Sequence, residues 1–69
     1  MHKRTKIIAT IGPASKSLEV IYKLYQNGMN VVRVNMSHAS VQDLIDISQI
    51  VSKLNKKIKS SIGLMIDTQ

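Results

Sequence analysis

The feature that most constrains the fold is the alternation of three apolar, β-rich segments with two segments of helical periodicity. The β-rich segments span residues 5–11, 30–36 and 60–66. Between them, apolar side chains recur at helical spacing, which predicts helices over residues 18–27 and about 41–57. The connections are short and each helix is long enough for a crossover. The chain is therefore predicted to be an α/β, β-α-β-α-β unit with parallel strands joined by right-handed crossovers.

Local signals mark both helices. Ser15 and Ser17 precede the first helix, and either is suited to cap it. Gly28 follows at the position of a left-handed C-terminal cap. Ser40 and Asp43 resemble a capping box at the start of the second helix, with aspartate in the usual place of glutamate.

Composition excludes several classes of protein. The 69 residues include no cysteine, so disulfides and thiolate zinc sites are impossible. No apolar run approaches the ~18 residues of a membrane span, and we expect a soluble protein. The phosphate-loop and GxGxxG fingerprints are absent, which disfavours a nucleotide-binding Rossmann unit. The net charge of +6 favours anionic partners.

A polar cluster is predicted where the second and third strands end. Side chains alternate faces along a strand, so Arg33, Asn35 and Ser37 are expected on one face. Asp67 and Thr68 end the next strand. Because sites in open α/β sheets and β/α barrels form at the carboxyl ends of strands, these residues predict an oxygen-rich cluster beside an arginine. Hard cations favour such oxygen ligands.

Each residue of this cluster also has a structural interpretation. Arg33 is suited to a phosphate, but equally to an ion pair with Asp67. Asn35 and Ser37 are suited to stabilising the turn before the second helix. His38 alone is more often a solvated loop histidine than a ligand. The residues by themselves leave these alternatives open.

Three segments closely resemble the beginning of pyruvate kinases: "RTKIIATIGPAS" (4–15), "GMNVVRVNMSHAS" (28–40) and "IDTQ" (66–69). In that family the second segment usually reads like "GMNVARLNFSHGS" and the third like "LDTKGPEIR". The resemblance covers nearly the whole chain, with the same order and spacing. It implies that residues 1–69 are the N-terminal fragment of a TIM (β/α)8-barrel catalytic domain, with the barrel incomplete.

The resemblance also implies an activity. Pyruvate kinases transfer the phosphoryl group of phosphoenolpyruvate to ADP in glycolysis, giving pyruvate and ATP, with Mg²⁺ and usually K⁺. They are usually cytoplasmic homotetramers, with neither nucleic acid nor a membrane as an expected partner. The Mg²⁺ ligands and the catalytic lysine lie in parts of the family outside this chain. No catalytic residue is expected here, and the isolated chain is expected to be inactive.

The resemblance assigns binding roles residue by residue. Arg33 corresponds to the arginine that contacts the substrate phosphoryl group. Four consecutive residues fall in the segment that lines the nucleotide phosphates: Asn35, Met36, Ser37 and His38. Four residues correspond to K⁺ ligands: Asn35, Ser37, Asp67 and Thr68 (through its backbone oxygen).

The chain departs from the family pattern at three positions. Ala39 stands where glycine is common, and alanine would cost about 1 kcal/mol there if the backbone needed a positive φ. Met36 replaces a frequent phenylalanine, which a packed site tolerates. Gln69 replaces a common lysine, and nothing essential depends on it.

Two alternatives belong to other functional classes. The lysines at 53, 56, 57 and 59 would suit a small basic module that binds RNA or another anionic surface, although lysines near a helix C-terminus are favourable anyway. The aromatic content of 3% argues against stacking on single-stranded nucleic acid. The other alternative is a structural piece that self-associates, because three parallel strands leave two edges unpaired.

Overall fold

The computed structural model describes residues 6–68, which form a three-stranded parallel sheet with both helices on one face. The elements are β1 (Ile8–Thr10), α1 (Leu18–Gln26), β2 (Val31–Asn35), α2 (Val41–Ile58) and β3 (Gly63–Asp67). The strand order is β1-β2-β3, so β2 is central. The predicted β-α-β-α-β unit is confirmed. Over the described range, neither helix combines the length and apolarity needed to cross a membrane.

The caps of α1 settle the choice between the two serines. Ser17 is the N-cap, and its hydroxyl accepts a hydrogen bond from the N–H of Val20 at 3.1 Å. Ser15 instead closes a turn, since its hydroxyl accepts from the N–H of Gly12 at 3.0 Å. Gly28 follows the helix with φ +106°, the left-handed conformation predicted for it.

Helix α2 begins with the predicted capping box. The N–H of Asp43 donates to the Ser40 hydroxyl at 3.1 Å, and the Ser40 N–H donates to the Asp43 carboxylate at 2.8 Å. Two N–H groups that have no partner within the helix are thereby satisfied. The helix ends at Ile58, and the C-cap Lys59 has a left-handed φ of 52°.

The predicted strands were too long or displaced. At the first strand, Ile7 precedes β1, and its N–H donates to the Asn30 side chain at 3.0 Å rather than to a strand backbone. Thr5, the first residue of the predicted strand, lies outside the described residues. The third strand starts at Gly63 rather than 60 because Asn55 holds the preceding residues. Its side-chain oxygen accepts from the Ser60 hydroxyl at 2.7 Å and the Ile62 N–H at 2.8 Å.

The core lies between the sheet and the helices. Its almost fully buried members are Ile11, Ile21, Met29, Val32, Val34, Ile47, Val51, Leu54 and Ile62. Val32 and Val34 are completely buried. Arg33, which lies between them, and Asn35, which follows Val34, are half-buried. The alternation confirms that Val32 and Val34 face the helices. Arg33 and Asn35 therefore lie on the opposite face of the sheet.

Candidate functional site

The carboxyl ends of β2 and β3 lie side by side. Arg33 pairs in register with Met65, and Asn35 pairs with Asp67. The Met36 N–H donates to the backbone oxygen of Asp67 at 2.9 Å, which continues the pairing past the end of β2. The structure thus brings Arg33, Asn35 and Asp67 together on the face of the sheet that carries no helix within residues 6–68.

Arg33 forms an ion pair with Asp67. Its Nη2 donates to Oδ2 of that carboxylate, and its Nη1 lies 3.4 Å from the Thr10 hydroxyl oxygen. Thr10 carries no signal of its own in the sequence, but it is the register partner of Arg33 on β1. The side chains of Arg33 and Asp67 are 34% and 38% exposed. The guanidinium is therefore held in place and still open to solvent.

Asn35 organises the turn that follows β2. Its side-chain oxygen accepts from the Ser37 N–H at 3.0 Å and from the Ser37 hydroxyl at 2.7 Å. Its backbone oxygen accepts from the N–H groups of His38 and Ala39, both at 3.1 Å. Strand alternation predicts that Ser37 lies on the same face as Asn35. That reasoning was wrong, because β2 ends at Asn35, and the turn brings the two side chains together.

The remaining loop residues differ in exposure. His38 is exposed, whereas Met36 and Ala39 are half-buried and pack against the core. The Met36 side chain therefore contributes to packing, and its backbone lies at the site. Ala39 does not have a positive φ, so alanine in place of glycine carries no backbone strain here. Thr68 is exposed directly after β3.

The donor set suits a monovalent cation. Asn35 offers an amide oxygen, Ser37 a hydroxyl, Thr68 a backbone oxygen and Asp67 a carboxylate, so a single formal negative charge is present. Divalent ions usually recruit more carboxylates or phosphates. Among residues 6–68, no three His, Cys, Asp or Glu side chains gather as a metal-binding group. The types of donor present are compatible with K⁺.

The lysine cluster lies away from this site. Helix α2 starts after the carboxyl end of β2 and runs back to the amino end of β3. Its last turn therefore lies at the amino ends of the strands, opposite the candidate site. Lys53, Lys56, Lys57 and Lys59 are all exposed there. Their position fits lysines that favour a helix C-terminus, and they do not add to the charge around Arg33.

The sequence matches the family described as "Pyruvate kinase, barrel domain" over residues 2–69. The chain belongs to the pyruvate kinase family. Its three parallel strands and two helices are consistent with the start of the family's barrel domain.

Curated pyruvate kinases from several organisms are similar to this chain. The Thermoplasma acidophilum enzyme is 44% identical over 64 residues, which cover 93% of this chain and 11% of that protein. The Methylorubrum extorquens enzyme is 40% identical over 97% of this chain and 14% of its own length. The Staphylococcus epidermidis enzyme is 43% identical over 97% of this chain and 12% of its own length. The chain thus spans between 11% and 14% of these pyruvate kinases.

Proposed function

We propose that this chain supplies the first β-α-β-α-β segment of an enzyme that transfers the phosphoryl group of phosphoenolpyruvate to ADP, giving pyruvate and ATP. The family match over residues 2–69 is the observation that carries the proposal. The site chemistry is compatible with it, because proteins catalyse phosphoryl transfer mainly by positioning groups and neutralising charge. An arginine beside four oxygen donors suits that task.

In this proposal, Arg33 binds the phosphoryl group of phosphoenolpyruvate. Arginine has five N–H donors in a planar fork. The contacts with Asp67 and Thr10 engage Nη2 and Nη1, and the side chain is 34% exposed. These contacts fix the direction of the fork and leave further donors for an anion. The ion pair with Asp67 and a phosphate contact are therefore compatible.

The segment from Asn35 to His38 lines the nucleotide phosphates in the proposed enzyme. Ser37 and His38 are exposed, and the backbone of Met36 lies beside the end of β3. K⁺ is held by Asn35, Ser37, Asp67 and Thr68. When bound, K⁺ supplies positive charge that offsets the negative charge of the transferring group.

The remaining parts of the proposed enzyme lie outside this chain. Its Mg²⁺ ligands and its proton-transfer group come from the rest of the barrel. The enzyme acts as a cytoplasmic homotetramer in glycolysis, without nucleic acid or a membrane as a partner. The isolated chain is inactive, because the groups that it supplies bind and orient but do not complete the reaction.

A chimera tests the proposal directly. The 64 residues of this chain that match the Thermoplasma acidophilum pyruvate kinase replace their counterparts in that enzyme, and pyruvate formation from phosphoenolpyruvate and ADP is measured. We expect the chimera to turn over and the purified 69-residue chain to show none. A folded chimera without activity, made from an active parent enzyme, would reject the proposal. Activity that co-purifies with the isolated chain would contradict the proposal that this chain is inactive by itself.

Substitution of Arg33 tests its assigned role. Arg33→Ala in the chimera should lower kcat/KM for phosphoenolpyruvate by a factor that corresponds to about 2 to 4 kcal/mol, since a charged donor is lost from the site. Lys57→Ala, which removes an exposed positive charge from the last turn of α2, is the matched control and should leave kcat/KM unchanged. An unchanged kcat/KM in Arg33→Ala would reduce Arg33 to a structural partner of Asp67.

A further inference from the structure

Lys16 links the loop that follows β1 to the beginning of α2, next to the loop that follows β2. It lies between β1 and α1, and its ammonium group contacts two carboxylates of α2. The distances are 2.8 Å from Nζ to Asp43 Oδ1 and 2.6 Å to Asp46 Oδ2. The Asp43 side chain is only 14% exposed, compared with 26% for Lys16. The contact therefore joins the β1–α1 loop to the first turns of α2.

The Asp43 carboxylate is shared between Lys16 and the loop that carries the candidate site. Oδ1 binds Lys16, and Oδ2 accepts from the Ser40 N–H at 2.8 Å. Ser40 is the last residue of the loop of residues 36–40, which follows β2. Lys16 is thus linked through one carboxylate to the end of the segment that contains Ser37 and His38.

The backbone around Lys16 is itself fixed. The Ser15 N–H donates to the Gly12 backbone oxygen at 3.1 Å, and the Gly12 N–H donates to the Ser15 hydroxyl. On the other side, Ser17 caps α1. Because both neighbours of Lys16 are bonded locally, the ion pairs tie the second loop to an ordered part of the first.

The charges of this network persist over a wide pH range. The hydrogen bond from Lys16, and then those from the backbone and side chain of Ser40, lower the pKa of Asp43 from 3.8 to about 2. Lys16 and then Gln42 also lower the pKa of Asp46. The two carboxylates raise the pKa of Lys16 above 10.5. The ionised Asp43 carboxylate stabilises the folded chain. This contribution to the free energy of unfolding is present above about pH 4 and is lost as pH falls through about 2.

We propose that Lys16 is a positioning residue that holds the loop of residues 36–40 in place through Asp43 and Ser40. The inference rests on the proposed function only where it concerns substrate affinity. Single ion pairs that remain in contact with solvent contribute little to global stability, and the Lys16 side chain is 26% exposed. The effect of Lys16 is therefore expected on the order of this loop rather than on the fold as a whole.

Hydrogen exchange of the 69-residue chain tests the loop itself. Lys16→Met keeps the aliphatic stem and removes the charge. It should speed exchange of the amides of Ser37, His38, Ala39 and Ser40, and leave those of Val32 and Val34 in β2 unchanged. Lys16→Arg should restore slow exchange, and Lys23→Met, which alters an exposed lysine of α1, should have no effect. Equal acceleration in β2 would show a general loss of stability and overturn the inference.

Kinetics of the chimera test the consequence for the site. Lys16→Met should raise the KM for ADP by roughly tenfold with a smaller change in kcat, which is the lower end of the losses found when a residue that orients metal ligands is removed. Lys16→Arg should recover most of the loss. An unchanged KM would overturn the proposed link to the site.

A double substitution separates positioning from direct contact. If Lys16 acts through Asp43, then Lys16→Met combined with Asp43→Asn should raise KM no more than the worse single change. Effects that multiply would mean that Lys16 acts independently of Asp43, which would overturn the inference. A chimera that is inactive before any substitution would count against the proposed function alone, because the exchange experiment needs no activity.

Discussion

At the residue scale, the ion pair between Arg33 and Asp67 depends on the register of β2 and β3. Strand alternation puts the two residues at neighbouring strand ends, where Arg33 suits a phosphate ligand and an ion pair equally. The structure forms the ion pair because Arg33 is in register with Met65, which puts Asp67 diagonally opposite on the same face. A slip of one residue would turn Asp67 towards the helices. Register depends on long-range packing, so the sequence could not decide this contact.

Asp67 gives a prediction about the cation. In a chimera whose parent enzyme responds to K⁺, Asp67→Asn should raise the K⁺ concentration for half-activation by roughly tenfold or more. A bond to a charged group contributes about 1.5 to 3 kcal/mol, and Asp67 carries the one formal charge of the donor set. Activity is measured against K⁺ at saturating Mg²⁺, and then against Mg²⁺ at saturating K⁺. Glu19→Gln, in the first turn of α1, is the charge-matched control. An unshifted K⁺ midpoint would reject the assignment.

Asn55 gives a prediction about stability. Its side chain accepts from Ser60 and Ile62 and donates to the Ile62 backbone oxygen at 3.1 Å. Asn55→Ala leaves the N–H of the buried Ile62 without its partner, so the free energy of unfolding of the chain should fall by about 1 to 3 kcal/mol. Asn27→Ala removes one exposed hydrogen bond to the backbone oxygen of Lys23 and should change the free energy of unfolding by less than about 0.5 kcal/mol. Urea denaturation measures both, and equal losses would contradict the special role of Asn55.

At the scale of elements, helices were easier to predict than strands. Both helices begin as predicted and end within one residue of the predicted position, since Ser17, Gly28 and Ser40 act on neighbouring residues. Strand ends depend on distant partners. Asn30 binds the backbone before β1, and Asn55 binds the backbone before β3. No local pattern announces either contact, which is why the predicted strands were too long or began too early.

The end of α2 carries avoidable strain. Lys59 has a left-handed φ of 52°, where a side chain costs roughly 1 to 2 kcal/mol and glycine does not. Lys59→Gly should therefore raise the free energy of unfolding by about 1 kcal/mol. Lys53→Gly introduces glycine into the body of the same helix and should lower the free energy of unfolding by about 1 kcal/mol. Urea midpoints of the two variants should move in opposite directions, and a loss in both would refute the assigned strain.

At the scale of the whole molecule, the described residues leave the sheet open. Strand β2 is paired on both sides, whereas β1 and β3 each pair on one side over residues 6–68. Ile8, Met65 and Ile66 on these outer strands are between 41% and 50% exposed. In the proposed enzyme, further strands of an eight-stranded barrel would cover these edges. The sequence predicted the open edges because three parallel strands cannot close on themselves.

The open edges predict that the isolated chain self-associates, because unpaired strands with exposed apolar side chains recruit other chains. Sedimentation velocity should show larger species as protein concentration rises. Ile66→Lys places a charge on the β3 edge, where the side chain is 50% exposed, and should shift the chain towards monomer. Val41→Lys adds the same charge at the first residue of α2, where the side chain is 66% exposed and away from the edges, and should not. A chain that stays monomeric at every concentration would refute edge-driven association. Equal shifts in the two variants would assign the effect to net charge rather than to β3.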